Sequence, residues 1–523
     1  MFSSLVTSRL LVPMTTLLCF CLVLSITQAF LPLYKGHRFV LSRAANEWKG
    51  DFEDYFDDGQ DDSLLISNLF PQATRLEDRS GAQVRQFILG QDLVLSNYAG
   101  SMGFDEVTDW EYYQQDEDGD DRRAVQPNPM DPAQPKRTRA SSGSVVRVFR
   151  GEFQGALGAS MRAQGLDKRI LVKEFTGQLA LDLARAEWMA VGKLQSKLLD
   201  KGTDWITAAS SRSVASRTDN QNVVTLCQKL MKSRYLGILG EVNLAELDDN
   251  MEPNEFYRAL GVPPPKPNAI WIVYEYAGLT SLQLYCVPPA IRRANLPPKR
   301  GLLGSQGQPP LPLFRDRARY VKTIMKQTLQ ALADLHEAGI AHKSIGRSSI
   351  ILSSTEMDKM VASSVFTTNP SQLVVKLADF GFSTELGVFD KDLQGRARTF
   401  GISIRTPDDA VPFMQAEDLH ALGFVFVGLV LTALADLETP STKMPATDED
   451  SIQRLLGDIF DKDLEQFRDY LEAEEGIWSN VVNWLDTEDG WKVLEALWLS
   501  REQVAAGKPI TAQDVLQLPF FLR

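Results

Sequence analysis

From Asp418 to Leu437 the sequence reads DLHALGFVFVGLVLTALADL, a stretch that offers almost no polar side to a helix. Such a helix either crosses a membrane or lies at the centre of a large helical body. Its uninterrupted part, Leu422 to Ala435, falls short of the roughly 20 residues that a span requires. It is also entered through Asp418 and His420. The sequence therefore predicts a buried core helix, and no stable membrane span in the mature chain. A companion is predicted upstream in RARYVKTIMKQTLQALADLHEAG, where Val321, Ile324, Met325, Thr328, Leu332 and Leu335 recur on one helical face.

The segments before this body read differently. SVVRVFRGEF and KRILVKEF are strand-like, with QGALGASMRAQGLD between them as a turn-rich connection. LALDLARAEWMAVGKLQSKLL has amphipathic helical spacing, and TAASSRSVASRTDNQN is a polar surface loop. RYLGILGEV and AIWIVYEY are further strand signals. A small sheet-based part (141–276) followed by a helical part (277–523) makes the fold class α+β. The helical part is interrupted by insertions such as VPPAIRRANLPPKRGLLGSQGQPPLP. Residues 48–140 form an acidic region, GDFEDYFDDGQDD and DEDGDDRR flanking an apolar middle with room for a strand or two. QPNPMDPAQPKRTRASSG then links it to the main domain.

Charge and side-chain inventory remove several classes of function. A net charge of −13 argues against a general nucleic-acid surface and leaves basic proteins as plausible partners for the acidic region. Cys19, Cys21, Cys227 and Cys286 make no disulfide framework, and with four scattered histidines the chain builds no Cys/His metal cluster. DEDGDD has no glutamate at the spacing of a calcium loop and reads as a solvated acidic turn.

At the N-terminus, Arg9 precedes the apolar run LLVPMTTLLCFCLVLSI, and Thr27-Gln28-Ala29 supplies the small residues of a cleavage site. Residues 1–29 thus read as a signal peptide. FLPLYKGHRFVLSRAANEW follows, basic and without an acid before Glu47, so 30–47 reads as transit-peptide-like. Signal peptide, phenylalanine and basic stretch in this order resemble the bipartite presequence of algae with complex plastids. The resemblance implies a plastid protein delivered through the secretory pathway; plain secretion is the alternative.

Four motifs follow one another in the main domain: Lys173 in ILVKEF, Glu187 in ARAEWMAV, the loop LHEAGIAHKSIGRSSIIL (335–352) and Asp379-Phe380-Gly381 in VVKLADFGFS. Together they resemble the eukaryotic protein kinase superfamily over residues 141–523. The resemblance implies a bilobal fold with a small β-rich N-lobe and a large helical C-lobe. It implies that Lys173 holds ATP phosphates, that Glu187 orients Lys173, and that Asp379 ligates Mg²⁺. Ser141, Gly143 and Val146 fall on the family's three phosphate-loop glycines, so only Gly143 keeps the residue that lets backbone N–H groups approach phosphate.

The loop departs from the family where the chemistry lies. His342 is kept, and Lys343 keeps the charge of the family's arginine. Ser344 stands in place of the base aspartate, Gly346 in place of the lysine, and Ser349 in place of the second metal-binding asparagine. A serine hydroxyl is no useful base near neutral pH, and loss of a general base removes about 10²–10⁴-fold in rate. Bracing groups persist by the same resemblance. Asp418 braces the loop, Thr406-Pro407-Asp408 ends the activation segment, and Lys508 lies near the place of the cation that pairs with its carboxylate. The expectation is a pseudokinase that binds ATP with Mg²⁺ and acts on an unidentified protein partner. The alternatives are a working Ser/Thr kinase with its base from Glu356 or Asp358, and a structural domain in which Lys173 and Asp379 are only an ion pair. Thr399, Ser403 and Thr406 are candidate phosphoacceptors on what reads as a plain surface loop.

Overall fold

The computed structural model describes residues 87–88, 92–107, 139–198, 218–242, 269–278, 281–284, 313–354, 370–436, 445, 447–474 and 476–523. The presequence expected over 1–47, Cys286, and the candidate acids Glu356 and Asp358 lie outside them. The chain is a mixed structure of helices and strands whose main sheet is largely antiparallel. Its strands are β1 (Phe87–Ile88), β2 (Leu93–Val107), β3 (Arg139–Phe153), β4 (Arg169–Thr176), β5 (Ile238–Val242) and β6 (Ile270–Glu275), in the order β1-β5-β6-β4-β3-β2. Only β1 and β5 pair in parallel within it.

Two boundaries differ from the sequence reading. The expected start of the folded domain at residue 141 falls inside β3, and the apolar middle of the acidic region supplies the outer strand β2. Between Ile88 and Leu93 the chain must pass from one edge of the six-stranded sheet to the other. Five Cα steps reach at most about 19 Å, whereas five strand spacings laid flat cover about 24 Å. The sheet therefore curls so that its edges approach.

The connection QGALGASMRAQGLD is a helix rather than a turn: α1 (Gly155–Ala163) buries Leu157, Gly158 and Met161. The segment expected as a polar loop likewise ends in a helix, α3 (Thr218–Leu230), which packs on α1. Between them α2 (Gln178–Leu198) crosses the inner face of the sheet. Its entry is set at Gly177, whose φ of 86° is a left-handed value, and Ser144 Oγ accepts from Leu179 N at 3.2 Å. A Cβ on Gly177 would lie 2.7 Å from Ser144 Cα and 2.9 Å from Gly143 O. Gly177→Ala is accordingly expected to cost about 1–3 kcal/mol through crowding, on top of the left-handed penalty of roughly 1–2 kcal/mol. Gly165→Ala carries only that penalty, since Gly165 has φ 67° and open space around it. Urea denaturation of both variants checks this, and equal losses would refute the crowding.

The helical part is organised as the apolar pattern predicts. In α4 (Phe314–Glu337) Val321, Ile324, Met325, Thr328, Leu332 and Leu335 are all buried. Two small two-stranded antiparallel sheets follow, β7 (Ile340–Ala341) with β10 (Thr384–Glu385), and β8 (Ile350–Ser354) with β9 (Leu373–Leu377). After α5 (Lys391–Thr399) comes the long helix α6 (Pro407–Ala433). It is the one described helix long and apolar enough to cross a membrane, and 94% of its apolar window is buried inside the protein. Its neighbours spend polar groups on its backbone: Trp478 Nε1 donates to Leu431 O, Ser500 Oγ to Ala416 O and Arg317 to Ala433 O. One apolar core joins the sheet to α4 and the greater part of α6, and a second, smaller cluster packs α5 on the first turns of α6.

Candidate functional site

The site lies where the inner face of the sheet meets the loop after α4 and the turn after β9. On β4, residues alternate between faces. Lys173 shares its face with Val148 on β3 and Ile272 on β6, its register partners. Its ammonium lies 2.8 Å from Glu187 Oε1 on α2 and 2.9 Å from Asp379 Oδ1. Burial works against the ammonium, but the charges of Asp379 and Glu187 outweigh it and hold the pKa above its ordinary value. Three of the residues singled out by sequence, Lys173, Glu187 and Asp379, are thus brought together.

A fourth group joins them that the sequence did not reveal. The Tyr274 phenol donates to Glu187 Oε2, and its ring lies under the Lys173 ammonium at 4.9 Å from the centroid. Burial, followed by the Glu187 charge, pushes the Tyr274 pKa well up, so the phenol stays a donor. In IWIVYE this tyrosine looks like one more apolar strand residue, and only its register opposite Leu171 gives it away.

Asp379 sits in the left-handed region at φ 63° and opens a 3-10 turn over Phe380–Phe382. Gly381 packs so close to α2 that a Cβ would meet Leu183 at 3.3 Å. Phe380 is buried against the ring of His342, centroids 5.1 Å apart. Through these contacts α2, the turn and Lys173 hold one another in place.

The loop is braced from beneath by Asp418 on α6. Its Oδ2 accepts from His342 N at 2.8 Å and lies 3.0 Å from His336 Nε2; its Oδ1 accepts from Lys343 N at 2.8 Å. This holds Lys343 at φ 64°. Burial works against the Asp418 carboxylate, yet the hydrogen bonds and charge of the histidines and loop amides hold its pKa below the ordinary value. His342 Nε2 is 3.1 Å from Ala378 O, a partner that requires the proton on Nε2. Burial lowers the His342 pKa and favours the neutral ring.

The residues in the altered positions face inward. Ser344 Oγ lies 3.4 Å from His342 Nδ1 and 3.5 Å from Asp379 O, and brings no negative charge to the cleft. Ser349 is buried in its own turn, accepting from Gly346 N at 3.0 Å and donating to Gly346 O at 2.9 Å. Gly346 keeps an extended φ of −151° that any residue adopts. Next to it Arg347, which the sequence reading passed over, pairs with Glu449 at 2.9 Å.

The remaining residues named from sequence fall as follows. Gly143 lies in ribbon β2–β3, further along it than Val148. Ribbon β2–β3 runs on from Val148, the partner of Lys173, as far as Arg139, about 30 Å at strand rise. Gly143, at φ 64°, forms an exposed bulge in it beside the start of α2. Ser141 and Val146 lie in the same ladder. The bracing pair is not Lys508 with Asp408, both exposed, but a close buried contact of Arg501 with Glu417. Thr406 is used as the cap of α6, reciprocally bonded with Asp409. Thr399 is exposed at the end of α5 and donates to Arg396 O.

Among the described residues no cluster of three or more His, Cys, Asp or Glu can hold a metal ion. Asp379 is one carboxylate, already sharing Oδ1 with Lys173. That suits Mg²⁺ arriving with a nucleotide, which keeps waters and phosphate oxygens as its other ligands. No protein-family model matches this sequence, and no curated protein matches it significantly.

Proposed function

We propose that this chain has a bilobal protein-kinase-like fold and works as a pseudokinase, binding a nucleotide such as ATP with Mg²⁺ and acting as a regulator or scaffold for a protein partner. The presequence reading makes the plastid its location. One observation carries the proposal: Lys173, Glu187 and Asp379 converge within hydrogen-bonding distance, while the hydroxyls of Ser344 and Ser349 are turned into the loop. The binding groups are assembled and the transfer groups are missing. Bound nucleotide would compete with the contact between Lys173 and Asp379. Occupancy would then alter the link between the Asp379 turn and α2, a change that a partner can read.

The test is titration of the purified mature chain with ATP and Mg²⁺, alongside γ-phosphate transfer assays in Mg²⁺ and in Mn²⁺. Binding is expected in the parent chain and at least tenfold weaker in Asp379→Ala and Lys173→Ala, with no phosphate incorporated into protein. Incorporation that both substitutions abolish would make the chain an unconventional kinase. Absence of binding by demonstrably folded protein would leave a structural domain.

A further inference from the structure

The outer end of the same cleft carries a cation that nucleotide binding through Lys173 does not use. Arg150 on β3 is the register partner of Leu171, which in turn faces Tyr274 on β6. Pairing of β3, β4 and β6 is regular here, so Arg150 shares the face of Lys173, one row nearer the open end of the cleft. It is half-buried. Among the described residues its guanidinium has no hydrogen bond or ion pair, although its own carbonyl accepts from Ser96.

The neighbouring charges are already matched. Arg169 is held by Asp167 at 2.9 and 2.8 Å and lies over the Tyr276 ring at 4.4 Å. Glu152, the register partner of Arg169, pairs with Lys168. Burial raises the Tyr276 pKa, and the charges of Arg169 and Arg150 pull against that rise. At the inner end, two carboxylates face the single Lys173 ammonium and leave an excess negative charge. The cleft is thus negative inside and positive at its mouth, so a bare anion is favoured at Arg150 and a metal cation at Asp379. An unpaired arginine on a ligand-facing sheet, with its planar donor fork, suits phosphate oxygens.

We infer that the cleft ligand is phosphate-bearing and that Arg150 binds a phosphate group of it at the open end of the cleft. The inference rests on the nucleotide reading above and names the contact that would set specificity. Calorimetric titration of the full mature chain with ATP, inorganic tripolyphosphate and adenosine, each with and without Mg²⁺, tests it in the parent, Arg150→Leu, Arg150→Lys and Lys173→Ala. Arg150→Leu is expected to weaken ATP and tripolyphosphate at least tenfold and leave adenosine unchanged, with Arg150→Lys in between. Circular dichroism shows whether each variant is folded. ATP binding that depends on Lys173 but is unaltered or tighter in Arg150→Leu overturns the inference and leaves the nucleotide reading intact. Tripolyphosphate binding lost in Arg150→Leu, with ATP no tighter than tripolyphosphate and adenosine silent, supports the anion site and removes the nucleotide. If no phosphate compound binds the parent chain, both fall.

Discussion

Exchanging Asp418 for asparagine is expected to cost the folded chain about 2–4 kcal/mol, the penalty for one or two buried N–H groups left without an acceptor. Both carboxylate oxygens are committed, Oδ2 to His342 N and His336 and Oδ1 to Lys343 N, and the residue is 1% exposed. An amide keeps one oxygen but turns an NH₂ group toward a donor. Lys343 would then lose the contact that holds it at φ 64°, and the loop carrying Ser344 would shift with it. The pH dependence has a definite sign. Asp418 has a folded pKa below its ordinary value of 3.8, so its stabilisation is present above that value and is lost as pH falls through the folded one. Urea denaturation should show the gap between parent and Asp418→Asn wide at pH 7 and narrowing below about pH 4. A gap under about 0.5 kcal/mol at pH 7, the size of an ordinary surface change, would mean that Asp418 is not the brace.

That brace was legible because Asp418 matches the loop-bracing aspartate of the family the sequence resembles, and α4 and α6 were legible because their buried residues recur with helical period or run on almost without interruption. Other elements hid for physical reasons. The glycines at 155 and 158 disguise α1 as a turn, although Gly158 packs so closely on Phe153 O that no side chain fits there. Strand β2 was legible as room for a strand in the apolar middle of an acidic region, but its place at the edge of the main sheet depends on pairing with β3 that local sequence does not specify. The place of Gly143 depends on how far a ribbon extends past Lys173, a matter of strand register and bulges that local sequence does not specify. Tyr274 and Arg150 escaped for a shared reason. Each looks ordinary along its own strand, and becomes informative only when pairing sets it beside Glu187 or across from Leu171.

Tyr274 also decides how the second large effect should be distributed. Lys173→Met removes the cation that lies between Glu187 and Asp379, whose side chains are 6% and 24% exposed. Breaking a buried ion pair from one side costs about 3–5 kcal/mol, and the two carboxylates do not share that cost equally. Asp379 can be rehydrated from the cleft. Glu187 cannot, and its remaining donor is the Tyr274 phenol. The expected result is therefore a loss of a few kcal/mol in Lys173→Met, most of it recovered in Lys173→Met/Glu187→Gln and little of it in Lys173→Met/Asp379→Asn. Thermal and urea denaturation of the set, read as double-mutant cycles, measures the two couplings. Recovery through Asp379 rather than Glu187 would mean that the unmatched charge is costlier at the turn than on α2. The distinction matters for the regulation proposed above. A cost that falls on Glu187 keeps α2 sensitive to whatever neutralises Lys173, whereas a cost that falls on Asp379 would confine the response to the turn.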